Sequence, residues 1–271
     1  MHKLLFLMLS LGLLGCCAAP SREHSKVDIP TIVSLNPCTD AILAEVADPA
    51  QLLAISHYSH DPRASSMDLK VAQRFRATGG TVEEVLALDP DVVVASVFLP
   101  PATRAAFERL GIRVETVGIA STVAESEAQV SALAALAGHP ERGTALNARI
   151  EAAVARAHWD GAESPTLLWQ EGGLVPGPQT LIAELFGTAG FASHSAARGL
   201  GQGAYVPLEQ VLADPPALVI ATTGERMLSH PVLRHLPDTR YARIESSLLY
   251  CGGPTIIRAV DRLARLRRAI G

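Results

Sequence analysis

Histidine and cysteine are the residues of this chain most able to hold a metal or attack a substrate. His57 and His60 stand three apart in the polar stretch His57-Tyr58-Ser59-His60. With His194, from far along the chain, they could offer imidazole nitrogens to a bare transition metal or to the metal centre of a chelate. The competing reading is three ordinary polar loop residues. Cys38 and Cys251 are the two cysteines beyond the N-terminal region. They can pair, pack as small hydrophobes or ligate a metal centre. Cys38 also stands just before an expected helix N-terminus, where a thiol becomes more acidic, which leaves an exported thiol enzyme as a minor alternative. No partner base is evident for it. Gly-x-x-x-x-Gly-Lys-Ser/Thr, Gly-x-Ser-x-Gly and His-Glu-x-x-His are all absent from the chain. The signatures of an ATPase and of common hydrolases are therefore missing, and a non-catalytic protein is expected.

The N-terminus points to export. Met1-His2-Lys3 is a short basic start, and residues 4–14 form an apolar run of 11 residues. That is well short of the ~20 residues of a membrane span but suits the core of a signal peptide. Leu13-Leu14-Gly15-Cys16 follows and resembles a bacterial lipobox, with Cys16 as lipid acceptor. Residues 1–15 then read as a signal peptide and 16–30 as a linker, leaving the chain tethered outside the cytoplasmic membrane. A net charge of −4 leaves no basic surplus to hold a nucleic-acid backbone. Hydrophobic residues at 48% are enough to fill a sizeable core. Aromatics are only 4%, so each ring is a candidate in its own right.

Short β-type runs at 31–34, 52–56, 92–96 and 113–117 alternate with helical patterns at 39–47, 81–88, 102–110 and 122–137. This alternation predicts a mainly parallel α/β sheet covered on both faces. Pro140 opens a long helical stripe that runs to Trp159. After it the alternation resumes, with strands at 166–170, 217–221 and 242–245 and helices at 181–186, 208–212 and 255–270. Arginines of the last helix lie off its apolar stripe and read as a solvated face. Residues 82–94 and 208–220 form an internal repeat at a constant offset of 126 residues. The fold expected is α/β: two lobes with mainly parallel sheets, 31–137 and 161–271, joined by one long backbone helix within 138–160.

These segments resemble the periplasmic substrate-binding proteins of ABC importers for iron-siderophore, haem and cobalamin complexes. Residues 32–37, 53–62, 80–94 and 251–254 carry the resemblance. It implies a monomeric receptor with no intrinsic cofactor, whose cargo is an iron or cobalt chelate and whose partner is a membrane permease. The ligand would lie between the lobes, against Asn36, Pro37, Cys38, His57, Tyr58 and His60 on one side. Trp169, Tyr250, Cys251 and Gly252 would face them from the other, with Tyr58, Trp169 and Tyr250 as aromatic platforms. Glu83 and Glu209, one per repeat, match the glutamates that dock on permease arginines. Cys38 and Cys251 fall on the implied cleft loops, one in each lobe, which adds an inter-lobe disulfide to the readings above. A receptor for a bare metal ion through the histidines is the rival function.

Overall fold

A computed structural model describes residues 29–222 and 227–270. The expected signal peptide and Cys16 lie outside the described residues. The N-terminal sheet is built from β1 (Ile32–Ser34), β2 (Leu52–Ser56), β3 (Ala77–Thr78), β4 (Val92–Ser96) and β5 (Arg113–Val117), in the order β3-β2-β1-β4-β5. The C-terminal sheet holds β6 (Ser164–Trp169), β7 (Phe191–Ser193), β8 (Leu218–Thr222) and β9 (Arg240–Ile244), in the order β7-β6-β8-β9. Every strand pairing is parallel. The chain thus has two parallel α/β lobes. Strands β3 and β7, of two and three residues, are too short to show a period in the sequence.

Helices α1 (Pro37–Val46), α2 (Leu69–Ala72), α3 (Val82–Leu86), α4 (Pro101–Arg109) and α5 (Val123–Leu136) belong to the first lobe. Helix α6 (Pro140–Ala157) bridges to the second, which carries α7 (Leu181–Thr188), α8 (Leu208–Ala213) and α9 (Pro254–Ile270). Pro140 occupies the first turn of α6, where its missing N–H costs nothing.

Strand parity decides which residues meet the helices. Ile32, Val92 and Val94 point to one face of the first sheet, and Leu168, Leu218 and Ile220 to one face of the second. All six join a single apolar core with residues of α1, α5, α6, α7 and α9, so the lobes share a helical layer. The alternate residues Val33, Val93 and Ala95 pack under Val85 and Phe107 on the outer face of the first sheet. Polar ties reinforce the shared layer. Glu184 of α7 accepts from the backbone N–H of Val123 at 2.9 Å, and Arg258 of α9 donates to the Ser66 carbonyl at 2.8 Å. A single connecting helix is therefore only part of what joins the lobes.

One arginine of α9 departs from the solvated face expected for it. Arg267 is 5% exposed, lies 4.1 Å over the Trp159 ring and donates to the carbonyls of Ala162 and Gly190. Its guanidinium pins the chain where it leaves α6 and enters β6. Among the described residues, no helix is long and apolar enough to cross a membrane.

Candidate ligand-binding cleft

In a parallel sheet every strand ends at the same edge, and the loops beyond that edge are where open α/β sheets take ligands. A covalent link places the edges of the two lobes opposite each other: Cys38, after β1, is joined to Cys251, after β9, by a disulfide with Cα atoms 5.1 Å apart.

The disulfide is part of a close junction. Gly253 has φ +60° and donates its N–H to Ser126 Oγ of α5 at 2.7 Å. A Cβ there would lie 2.5 Å from Ile42 of α1, and one on Gly252 would collide with Ser126 Oγ. Only glycines let this second-lobe segment lie flat on two helices of the first. Cys251 is 6% exposed, and with both sulfurs bonded there is no thiolate for the thiol-enzyme alternative.

The first-lobe edge is furnished by local capping chemistry. Asn36 caps α1, its Oδ1 accepting from Cys38 N–H at 2.8 Å, and Pro37 fills the first turn. The cap holds Cys38 in position and occupies the Asn36 side chain. After β2 the chain enters a one-turn 3₁₀ helix, His57–His60. Tyr58 is 53% exposed there, with the His57 ring 4.1 Å from its own. His57 Nδ1 lies 3.3 Å from the Thr78 carbonyl, and His60 Nε2 lies 3.1 Å from that of Ala72. Asp61 holds Arg63 through a bidentate pair, which keeps its carboxyl below the usual range.

The second-lobe edge differs from expectation at Trp169. Its ring is fully buried, on the β6 face that also carries Leu167, among Val175, Val206 and Val211. The indole N–H donates to the Val206 carbonyl at 2.9 Å. Trp169 is the last residue of β6, and strand parity turns it into the outer core. It offers no platform to a ligand. Tyr250 does stand out, at 58% exposed, and burial of its inner part together with the Glu171 charge pushes its phenol up.

His194 is also misplaced by the sequence reading. It is 8% exposed, with Nε2 3.1 Å from the carbonyl of Asp214 at the end of α8, and burial pulls its imidazole down. The edge of β7 thus holds it against α8, committed to packing. Among the described residues, no group of three or more His, Cys, Asp or Glu could hold a metal ion. The histidine set proposed for a bare metal is therefore not assembled.

Two rings that the sequence reading passed over stand at these edges, one on each lobe. Phe98, two residues beyond β4, is 72% exposed, and Tyr205, bridged to Leu174 after β6, is 57% exposed. Val97, next to Phe98, and Ile119, beyond the neighbouring strand β5, are also exposed. In a chain so poor in aromatics, a Phe just past an apolar parallel strand was a usable signal.

Two facing parallel edges set with exposed rings, on lobes bridged by a helix, define a two-lobed binding protein. Residues 32–244 match the periplasmic binding protein family, to which this chain belongs. It is a substrate-binding protein and not an enzyme. The fold is similar to that of the haem-binding protein BhuT, solved with two haems (TM-score 0.70, 20% identity, 89% of this chain and 99% of that one). It is similar also to the haem-binding protein RhuT from Roseiflexus sp. RS-1 (TM-score 0.68, 19% identity, 89% and 97%). The vitamin B12-binding protein BtuF of Vibrio cholerae is a third (TM-score 0.65, 18% identity, 88% and 96%). Comparison with curated protein sequences gives no significant match.

Proposed function

We propose that this protein captures a metal chelate of the haem, cobalamin or iron-siderophore type outside the cytoplasmic membrane and delivers it to an ABC permease. Among these we favour a flat macrocycle. The observation that carries this reading is the set of exposed rings, Tyr58 and Phe98 on one lobe and Tyr205 and Tyr250 on the other, at facing strand ends. Rings left in water on short loops are ready to cover a large apolar face, and burying that face supplies binding energy. The haem- and B12-binding proteins of similar fold lend support. The proposal is tested by titrating the purified protein with ferric haem, cyanocobalamin, a ferric catecholate siderophore and zinc. Saturable one-to-one binding of a chelate is expected; tight binding of zinc alone would sink the reading.

Delivery is proposed to run through Glu83 and Glu209, with Cys16 as the lipid anchor. Both glutamates are exposed in the first turns of α3 and α8. Those helices run toward the starts of β4 and β8, so their first turns lie on the cleft side of each lobe. Neighbouring Glu84, by contrast, is occupied by Thr78 Oγ1 and Gly79 N–H, which hold its carboxyl below the usual range. Glu83→Arg with Glu209→Arg should abolish cellular uptake while leaving chelate affinity unchanged. Full uptake by that variant would remove these residues from docking. Cys16→Ser should free the chain from membranes, and retention there would refute the anchor.

A further inference from the structure

The first turn of α1 reaches both sides of the cleft. Cys38 carries the bond to Cys251, the neighbour of Tyr250. Asp40 reaches the other side. It is fully buried, and its Oδ2 accepts from Ser59 Oγ at 2.6 Å and from Ser56 N–H at 3.0 Å. Those two residues bracket His57 and Tyr58 in the sequence. Oδ1 is buried with no hydrogen-bond partner.

The surroundings of this carboxyl are unusual for an acid. Ser56 of β2 and Ser59 of the 3₁₀ turn hydrogen-bond to it, and among the described residues no charged side chain acts on it. Burial pushes the acid up to about 8, against the pull of those hydrogen bonds. It is therefore neutral at pH 7, when a bare buried charge would be costly. A group so expensive to ionise, bonded to both ends of one short segment, does more than fill space.

We propose that Asp40 is a positioning residue for the ligand: by holding Ser56 and Ser59 it sets the turn that presents Tyr58 to the cleft. Its value to a ligand rests on the reading of this edge as the binding cleft; the anchoring of the turn does not. Ionised Asp40 must gain water where the Ser59 turn now covers it, so the turn loosens as the proton leaves. Asparagine keeps an acceptor in place and cannot ionise. Alanine removes the anchor at every pH.

Amide hydrogen exchange on the full chain tests this, read at Ser56 N–H and at Asp61 N–H, which donates to the Tyr58 carbonyl at 3.1 Å. After correction for intrinsic rates, wild-type protection should fall about tenfold for each pH unit between pH 6 and 8, where the carboxyl is ionised once opened but neutral while covered, and should level off by pH 9. Asp40→Asn should stay protected to pH 9, and Asp40→Ala should be unprotected throughout. Ferric haem serves as the probe for binding, and its affinity should follow the same three profiles. A decline in Asp40→Asn matching wild type overturns the anchoring, even if Asp40→Ala fails to fold. Normal haem affinity in an Asp40→Ala protein with a loosened turn overturns the positioning role. If haem binds to none of the variants, the exchange data still decide the anchor, and only the ligand reading falls.

Discussion

The two lobes carry the same helix–turn–strand repeat, yet one ring near a strand end in each is placed in the opposite way. Phe98 lies two residues beyond β4 and is 72% exposed, whereas Trp169 closes β6 and is fully buried. Both lie near the ligand edge of a parallel sheet. A side chain inside the last pairing of a strand obeys the alternation of the sheet and enters one of its faces. A residue past that pairing is released from the alternation and can stand at the edge. The ligand edge is therefore furnished by loop residues, and one position of register separates a core tryptophan from a platform.

Substitutions at the two rings give this comparison its largest test. Trp169→Ala should lower unfolding free energy by about 3–5 kcal/mol in denaturant titration. Trp169→Phe should lose less and leave chelate affinity intact. The disulfide comes next. Replacing Cys38 and Cys251 together by serine should cost about 2–4 kcal/mol, since the bond closes a long loop in the unfolded chain. The smallest effect on stability is expected at Phe98, where Phe98→Ser should stay within about 0.5 kcal/mol of wild type. It should nevertheless weaken binding of the chelate found by titration roughly tenfold, the order expected for losing one aromatic contact. A ligand defect in Trp169→Phe together with a stability defect in Phe98→Ser would reverse the assignment of the two rings.

The same contrast separates local from long-range information in the sequence. The strands expected at 52–56, 92–96 and 113–117 occupy those residues, because each is a short β-rich run next to a turn or helix signal. Helix α5, expected over 122–137, was legible to within a residue at each end. The repeat at 82–94 and 208–220 likewise exposed the two-lobe plan, since each copy folds by its own local pattern. Glu83 and Glu209 were legible as exposed for the same reason, being polar residues in the first turn of short helices.

What the sequence alone determined is therefore the alternation of strands and helices, the parallel sheets it entails, and which loops lie at the C-terminal edges of the strands. These follow from periodicity, caps and turn residues, all of which act within a few positions. Tertiary structure alone decided the rest. His194 became a packing residue because α8, 20 residues away, offers it the Asp214 carbonyl. Arg267 left the solvated face because Trp159 and two carbonyls await it across the lobe. Asp40 owes its burial to the 3₁₀ turn closing over it. In each case the environment of a polar group is set by partners distant in the chain, and desolvation depends on those partners rather than on the residue's neighbours in sequence.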